Sequence, residues 1–329
     1  MGLNGSMKLS RFALLAVLSL GAVQAFAWLG KGHEQIADIA WLQLSDEARK
    51  EIGEILKAGD KDFVPASSSE ADVRAAFRKA ATWADWIKEN KTGQFEDLII
   101  AWNAKYQPGY DANDKDREAH RCKRWHYFDV PIQFAGNTPG VEGSNALIAL
   151  TTARYEFSIM GRQNPKDRKG QCWWLYWMEH VIGDLHQPLH CVSSYAFDAR
   201  GDAGGNFFKL GLPIADNPSK MTNLHFYWDA GIENAIAMDA SDKKDVESVS
   251  ARWSKEYAPF HNDASNLDFA KWIAKGAEDA KSFVYEGIER DGKPSQSYID
   301  RQAKYCRNQA VLAGFRLAKE ISRGLGMGE

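Results

Sequence analysis

Residues 69–87, SEADVRAAFRKAATWADWI, combine a helix start signal with a helical hydrophobic pattern. Ser69 and Asp72 form an S-x-x-D capping signal, which is typical of a helix N-terminus. Apolar side chains then recur every three or four residues, at Val73, Phe77, Ala80, Ala84 and Ile87. This spacing predicts one long helix with an apolar face.

Similar spacing recurs through most of the chain and predicts further helices over residues 32–58, 142–163, 170–187, 223–237, 243–257, 266–287 and 294–323. Strand-like alternation is scarce, and residues 206–214, NFFKLGLPI, are the best candidate for a small β-hairpin. No repeat or low-complexity linker divides the chain. The sequence therefore predicts a mainly α fold, a single-domain multi-helix bundle with a small β-hairpin.

Composition places the 329 residues in the ordinary globular range, with 44% hydrophobic and 26% charged residues. This range excludes disordered, collagen-like and polytopic membrane proteins. The 12 Trp, 16 Phe and 11 Tyr residues supply apolar surface for a large core. A net charge of −3 gives no general attraction for nucleic acid, so any phosphate binding must be local.

Residues 7–27 have the three parts of a secretory signal peptide: a basic start at Lys8 and Arg11, an apolar stretch, and a small-x-small end at Ala25-Phe-Ala27. Residues 1–6 precede a better start at Met7. The apolar stretch is short for a membrane span, although an uncleaved N-terminal anchor is the alternative. We therefore predict a signal peptide over residues 1–27, a mature domain over residues 28–329, and a secreted or periplasmic location.

Export also permits disulfides, and four cysteines are too few for a disulfide-built scaffold. We accordingly expect these cysteines to be paired rather than catalytic. Three pairings stay open. The residues are Cys122, Cys172, Cys191 and Cys306.

Residues 177–190, WMEHVIGDLHQPLH, contain the densest group of candidate metal ligands. His180 and Asp184 are four residues apart, so on a helix they share one face and can hold one cation. Pro188 should end that helix, which lets His190 point elsewhere. His186 lies on another side of the helix, so its expected place is behind the ligands or in the core.

A second pair at the same spacing, His225 and Asp229, follows Thr222 and Asn223, either of which can cap the helix. One such pair is more often a structural contact than a metal site. Two pairs, with an aspartate and a histidine in the Trp-rich segments 83–86 and 125–127, favour metal binding. Signal cleavage would also expose the amine of Trp28, which could chelate a metal together with His33.

These residues make the chain resemble the S1/P1 nuclease family, which comprises zinc-dependent secreted nucleases of mainly helical fold related to zinc phospholipases C. The resemblance covers the whole mature chain. It rests on Trp28 and His33, WADW at 83–86, WHYFD at 125–129, HxxxDxHQPLH at 180–190, GGN at 204–206 and NLHxxWD at 223–229. All nine family ligand positions hold the expected residue type.

Carried over by position, the resemblance implies three zinc ions per chain. The first would be held by Asp85, His126, His180 and Asp184. The second would be held by the amine and carbonyl of Trp28 with His33 and a bridging Asp184, and the third by His190, His225 and Asp229. Asp85 and Asp184 are the residues predicted to be catalytic.

The resemblance also implies four substrate contacts, each with a simpler alternative. Lys88 would contact phosphate, or it is a solvated lysine. Tyr127 and Asp129 would stack on and hydrogen-bond a nucleobase, or Tyr127 packs in the core. Asn206 would reach the cleft, or it only shapes the G-G-N turn.

The implied function is hydrolysis of single-stranded RNA and DNA to 5′-phosphorylated products, with 3′-nucleotidase activity. Single-stranded nucleic acid and 3′-nucleotides are the expected partners, and we expect a monomer that needs neither a membrane nor a protein partner. Two alternatives stay open: a zinc phospholipase C acting on phosphocholine lipids, and a non-enzymatic zinc-binding protein. Against them stand the aspartate at position 229 and a ligand set without cysteine.

Overall fold

The computed structural model describes residues 28–89, 122–133, 140, 143–163, 168–214, 217–256 and 261–327. Helices dominate it: α1 Gly30–Gln43, α2 Asp46–Leu56, α3 Glu70–Ala80, α4 Trp83–Glu89, α5 Ala146–Gln163, α6 Arg168–Asp184, α7 Leu224–Asp229, α8 Gly231–Met238, α9 Val246–Glu256, α10 His261–Ala264, α11 Phe269–Asp279 and α12 Gln296–Gly324. Single turns of 3₁₀ helix cover Arg124–His126 and Pro188–Cys191, and a π turn covers Ala280–Val284. The prediction of a mainly α, single-domain fold is confirmed.

Helix α6 is the centre of the bundle and is buried on every side from Gly170 to Asp184. A helix that is buried in this way lies in the core, so neighbouring elements cover every face of α6. The indole of Trp177 meets Trp125 with ring centroids 4.8 Å apart, and Trp83 packs against Tyr176 at 5.0 Å. The ligand-bearing end of α6 is thus held in a rigid aromatic environment.

The helix predicted over residues 69–87 is interrupted, and so is the helix predicted over 32–58. Ser69 caps α3 as expected, but a turn at Ala81 and Thr82 separates α3 from α4. The Thr82 hydroxyl donates to the Lys79 carbonyl over 2.8 Å and helps to end α3. Because of this break, the carbonyl of Ala81 can accept a hydrogen bond from His180 of α6. The helix predicted over residues 32–58 is divided because Ser45 caps the N-terminus of a new helix, α2.

Two small sheets complete the fold. Strands β3 (Lys209–Ile214) and β4 (Asn217–Asn223) pair antiparallel, which confirms a small hairpin. The predicted stretch, residues 206–214, supplies only its first strand, and the second strand was not predicted. Strands β1 (Val130–Ile132) and β2 (Val192–Ser194) pair in parallel and were not predicted, since three residues are too few to show an alternating pattern. This second pairing joins the segment after His126 to the segment after His190.

The two capping predictions near the ligands are confirmed. Helix α6 ends at Asp184, and Pro188 opens the 3₁₀ turn that carries His190. Asn223, rather than Thr222, caps α7 by accepting a hydrogen bond from the main-chain N–H of Phe226 over 2.8 Å.

The expectation of paired cysteines is wrong: all four are buried thiols at separate places in the fold. Cys191 lies against Gly276 of α11, and Cys306 lies against Gly231 of α8. Cys172 lies next to Gly59 and hydrogen-bonds the Tyr176 hydroxyl. Each thiol fills a space beside a glycine or a turn, so packing rather than cross-linking explains its position. Cys122 is likewise buried, beside the Trp125 turn.

Within the described ranges, none of the helices is long and apolar enough to cross a membrane. The predicted signal peptide, residues 1–27, lies outside those ranges.

Gly314 provides a test of the packing between α12 and α1, the helix that carries His33. A Cβ atom at this position would lie 2.5 Å from the Ile39 Cγ2 atom and 2.9 Å from the Ile36 carbonyl oxygen. We expect Gly314→Ala to lower the free energy of unfolding by about 1–3 kcal/mol through overpacking. Thermal or denaturant unfolding measures the change. Gly143→Ala is the control, because a Cβ atom there meets nothing within 4 Å; equal effects from both variants would contradict the packing.

Candidate metal centre

Three groups of buried side chains could each hold a metal ion. Within each group, the candidate ligand atoms all lie within 4.8 Å of one another. The groups are His33 with His180 and Asp184; Asp85 with His126 and His180; and His190 with His225 and Asp229. The structure therefore brings together the eight predicted side-chain ligands, which the sequence spreads over nearly 200 positions.

Asp184 lies at the junction of the first two groups. Its Oδ1 atom is 3.3 Å from His33 Nε2, and its Oδ2 atom is 3.1 Å from His126 Nδ1. The same Oδ2 atom lies 3.4 Å from the Nε2 atom of His180, one helical turn away on α6. The two oxygens of one carboxylate thus face different histidines, as a bridging ligand requires.

Asp85, on α4, faces His180 and His126 at 3.7 Å and 3.8 Å. Lys88, one turn further along α4, donates to the Asp85 Oδ1 atom over 2.7 Å. Burial alone would raise the pKa of Asp85, but the charges of Lys88 and the two histidines bring that pKa below its ordinary value. The carboxylate is therefore ionised at neutral pH and available to a cation.

The third group is centred on Asp229 of α7. Its two carboxylate oxygens lie 3.7 Å from His190 Nε2 and 3.6 Å from His225 Nε2. The side-chain amide of Gln187 donates to Asp229 Oδ1 over 2.7 Å, and its side-chain oxygen Oε1 accepts from the Leu189 N–H. Gln187 was not predicted as a site residue, and its place between the ligands of HQPLH was the signal that could have identified it.

Main-chain carbonyls orient three of the imidazoles. The Nδ1 atoms of these rings donate to a carbonyl oxygen, His180 to Ala81 (2.8 Å), His190 to His126 (2.7 Å) and His225 to Gly204 (2.7 Å). The Nε2 atom of each ring is consequently the one that faces the carboxylates and carries a lone pair. Gly204 has a φ of 62°, and a Cβ atom there would lie 2.3 Å from the Leu189 carbonyl oxygen, which explains the first glycines of G-G-N.

The electrostatics of the groups fit divalent cations. Among the described residues, Asp184 Oδ1, Asp229 Oδ2 and both ring nitrogens of His33 are buried without a hydrogen-bond partner. Burial lowers the pKa of His180 to about 4 and raises the pKa of Asp229 to about 8. Buried carboxylates that lack protein donors are costly unless a cation compensates them. Nitrogen and oxygen donors in sets of three with open positions suit zinc.

The N-terminal residue of the predicted mature chain is fixed beside these groups. The buried indole of Trp28 donates from Nε1 to the carbonyl of Gly183 over 2.9 Å. The next residue, Leu29, donates its main-chain N–H to the carbonyl of Asp229 over 3.1 Å. Two ligand-bearing segments therefore hold the start of the domain.

A cavity of about 420 Å³ opens beside the ligands. It is lined by Lys88, Lys123, His126, Tyr127, Asp129, Leu189, His190, Ala203, Asn206 and His225. All four predicted substrate-contact residues thus lie on one cavity wall with three metal-ligand candidates.

The cavity decides between several alternatives for these residues. Lys88 turns toward Asp85 and leaves only 13% of its side chain exposed, so it is not a solvated helix lysine. Tyr127 is half-buried at the cavity rather than in the core. Asn206 both lines the cavity and donates to the Ala203 carbonyl over 2.7 Å, so it also shapes the turn. Lys123, which also lines the cavity, was not predicted as a site residue, although its position just before WHYFD could have indicated it.

Comparison with known proteins agrees with this geometry. Residues 28–325 match the sequence profile of the family described as S1/P1 Nuclease. The chain is 23% identical over 321 residues to Endonuclease 2 of Arabidopsis thaliana, with 94% of each chain covered. It is 24% identical over 324 residues to Nuclease S1 of Aspergillus oryzae, covering 92% of this chain and 93% of that protein.

Gln187→Leu should weaken metal binding by the Asp229 group while leaving its three ligands in place. Loss of a hydrogen bond that orients a ligand typically costs about 10–100-fold in metal affinity. Metal content after dialysis against a graded chelator series measures the effect. Gln171→Leu is the matched control, since Gln171 is equally buried but bonds to Arg168 at the other end of α6. Equal retention in both variants would show that Gln187 does not orient the site.

Proposed function

The chain belongs to the S1/P1 nuclease family, and from this premise we propose that it is a zinc-dependent phosphodiesterase of single-stranded RNA and DNA. The coarser part of this function, a nuclease that hydrolyses phosphoester bonds, follows from the family. The finer part comprises three zinc ions per chain, single-strand preference, 5′-phosphorylated products and 3′-nucleotidase activity. The observation that carries it is the presence of three ligand groups beside a cavity whose wall includes two lysines and Tyr127.

Zinc ions at such a centre supply a nucleophile from water near neutral pH and polarise the phosphoryl oxygens. The protein's own residues orient the substrate. Lys88 and Lys123 provide positive charge at the cavity wall for the phosphate. Tyr127 offers a ring on which a base can stack, and Asp129 offers a carboxylate that accepts hydrogen bonds from base amino groups.

This arrangement favours an unpaired base. A base inside a duplex is stacked and paired on every side, so it cannot enter a walled cavity without being extruded. We propose that a base stacked on Tyr127 has the phosphate on its 3′ side near the ligand groups, because Tyr127 lines the same cavity as His126, His190 and His225. Water then adds to phosphorus, the bond to the 3′ oxygen breaks, and that oxygen takes up one proton of the water. The same bond is broken in a polynucleotide and in a 3′-nucleotide, which unites the two activities.

We also propose that residues 1–27 are removed on export and that the mature protein is a secreted or periplasmic monomer. The start of the family match at Trp28 supports this cleavage site. The hydrogen bonds from Trp28 and Leu29 to the ligand-bearing segments support it as well.

The proposed function is tested by substrate and metal together. The mature protein should contain about three zinc ions and hydrolyse single-stranded RNA and DNA far faster than duplex DNA. Chelation should abolish turnover and zinc should restore it. Asp184→Asn should lose both zinc and activity, because this carboxylate faces His33 of one ligand group and His126 of another.

Two other outcomes would overturn the proposal. Hydrolysis of a phosphocholine lipid but not of oligonucleotides would assign the chain to phospholipase chemistry. Full zinc content without hydrolysis of either substrate would indicate a binding protein.

Tyr127→Ala should weaken binding of oligonucleotides by about 1–3 kcal/mol, the usual contribution of one stacked base. Zinc content should be unchanged, since Tyr127 belongs to none of the ligand groups. Steady-state kinetics on a short single-stranded substrate measure the change. Tyr155→Ala, which truncates a tyrosine that is 62% exposed on α5, is the control. If both variants behave like the parent protein, no base stacks on Tyr127.

One extra residue before Trp28 should remove most activity, because it converts the terminal amine into an amide, a poor metal ligand. Helical content should be unchanged, since the bundle does not depend on that amine. Zinc analysis and circular dichroism measure the two effects separately. Trimming the extra residue with an aminopeptidase provides the control and should restore turnover. Full zinc content in the extended protein would show that other groups hold the second ion.

A further inference from the structure

A second cavity is lined by Leu185 and His186, which follow the ligand candidate Asp184 in the chain. Its volume is about 450 Å³, within the usual range for small-ligand sites. Helices α11 and α12 form most of its wall, and the residues that matter here are His186, Lys271, Trp272, Asn308 and Arg316. None of these residues belongs to the three ligand groups.

Arg316 is the unusual member of this wall, because its charge is buried and its guanidinium hydrogen-bonds no carboxylate among the described residues. The residue is only 8% exposed. Its Nη1 atom donates to His186 Nε2 over 2.8 Å, and its Nη2 atom donates to the main-chain carbonyl of Asp263 over 3.1 Å. The guanidinium also lies over the Trp272 ring, 4.6 Å from the ring centroid. Its Nε atom has no hydrogen-bond partner among the described residues.

All of these contacts are with neutral groups. His186 donates from Nδ1 to the Ile182 carbonyl over 2.7 Å, so its Nε2 atom accepts from Arg316 and the ring is uncharged in this arrangement. Burial lowers the pKa of Arg316 to about 10, which still leaves the guanidinium positive at neutral pH. Buried charges in proteins are normally paired.

The carboxylates around the cavity compensate the charge of Arg316 only in part. Asp279 is held by Lys275 and by the Tyr305 hydroxyl. Asp263 is exposed; its charge favours the cationic form of Arg316, but the guanidinium contacts its main-chain carbonyl rather than its carboxylate. Lys271 adds a further positive charge, with 70% of its side chain exposed and its Nζ atom 3.7 Å from the Asp268 carboxylate. The cavity therefore combines a buried, partly compensated cation with an exposed lysine on its wall.

We propose that this cavity binds a small phosphate-bearing anion through Arg316. The planar guanidinium matches two phosphate oxygens, and a lysine serves phosphate as a point charge. Asn308 and Gln309 add amide groups to the wall, and the cavity exceeds the size of phosphate alone, so a phosphate monoester fits. The ligand would supply the directly bound counter-ion that Arg316 lacks among the described residues.

Binding is tested on the zinc-loaded mature protein with three probes: inorganic phosphate, a nucleoside 5′-monophosphate, and the same nucleoside without phosphate. Titration calorimetry should show phosphate-dependent binding beyond that at the metal centre. Arg316→Met should weaken that component roughly tenfold or more, the effect of losing a charged hydrogen-bond donor. Lys319→Met, an exposed lysine on the same helix and outside this cavity, is the matched control and should bind like the parent protein.

A crystal structure with each probe locates the anion directly, and zinc content confirms that the variants keep the metal centre intact. If Arg316→Met does not fold, Arg316→Lys retains the charge without the fork and should bind more weakly than the parent. Phosphate density at Arg316 with inorganic phosphate alone identifies the free anion as the ligand, and tighter nucleotide binding identifies the ester. Absence of density there, with equal titration of parent and variant, overturns the site. Neither measurement requires turnover, so failure here is distinct from failure of the proposed nuclease activity.

Discussion

The carboxylate of Asp184 is the group on which the rest of the site depends. Its two oxygens face His33 on one side and His126 and His180 on the other, all within 3.4 Å. In a buried setting this arrangement is unfavourable for the protein alone, because burial and the neighbouring Asp85 raise the pKa of Asp184 well above its usual value. The fold therefore holds a geometry whose favourable form needs cations.

That geometry is held by helix α6 and the breaks around it. Full burial of α6 among tryptophan rings fixes the rotation of the helix and hence the face that His180 and Asp184 share. The break between α3 and α4 gives His180 a carbonyl to bond, and the 3₁₀ turn after Pro188 carries His190 to the other group. Interruptions of regular helix are thus the places where the site is oriented.

Much of this could be predicted from local sequence. The spacing of His180 and Asp184, the cap at Asn223 and the stop at Pro188 are signals within a few residues, and the structure has all three. Contacts between distant segments could not be predicted from local sequence. Gln187 and Asp229 are 42 positions apart, and no local pattern joins them. The cysteine prediction failed for a related reason: an oxidising compartment permits a disulfide but does not bring two sulfur atoms together.

The short segment between Asp184 and His190 has two different faces. One face presents the metal-ligand groups, and the other places His186 against Arg316 and Trp272. Because the imidazole of His186 is fixed by Ile182 within the chain and by Arg316 across it, the turn that carries His190 is anchored from behind. A bound anion that changed the position of Arg316 would therefore move His186 and the turn, and would not contact the metal-binding side chains directly. The turn that follows the buried helix α6 therefore carries a candidate metal ligand, His190, and also positions the buried cation Arg316 through His186.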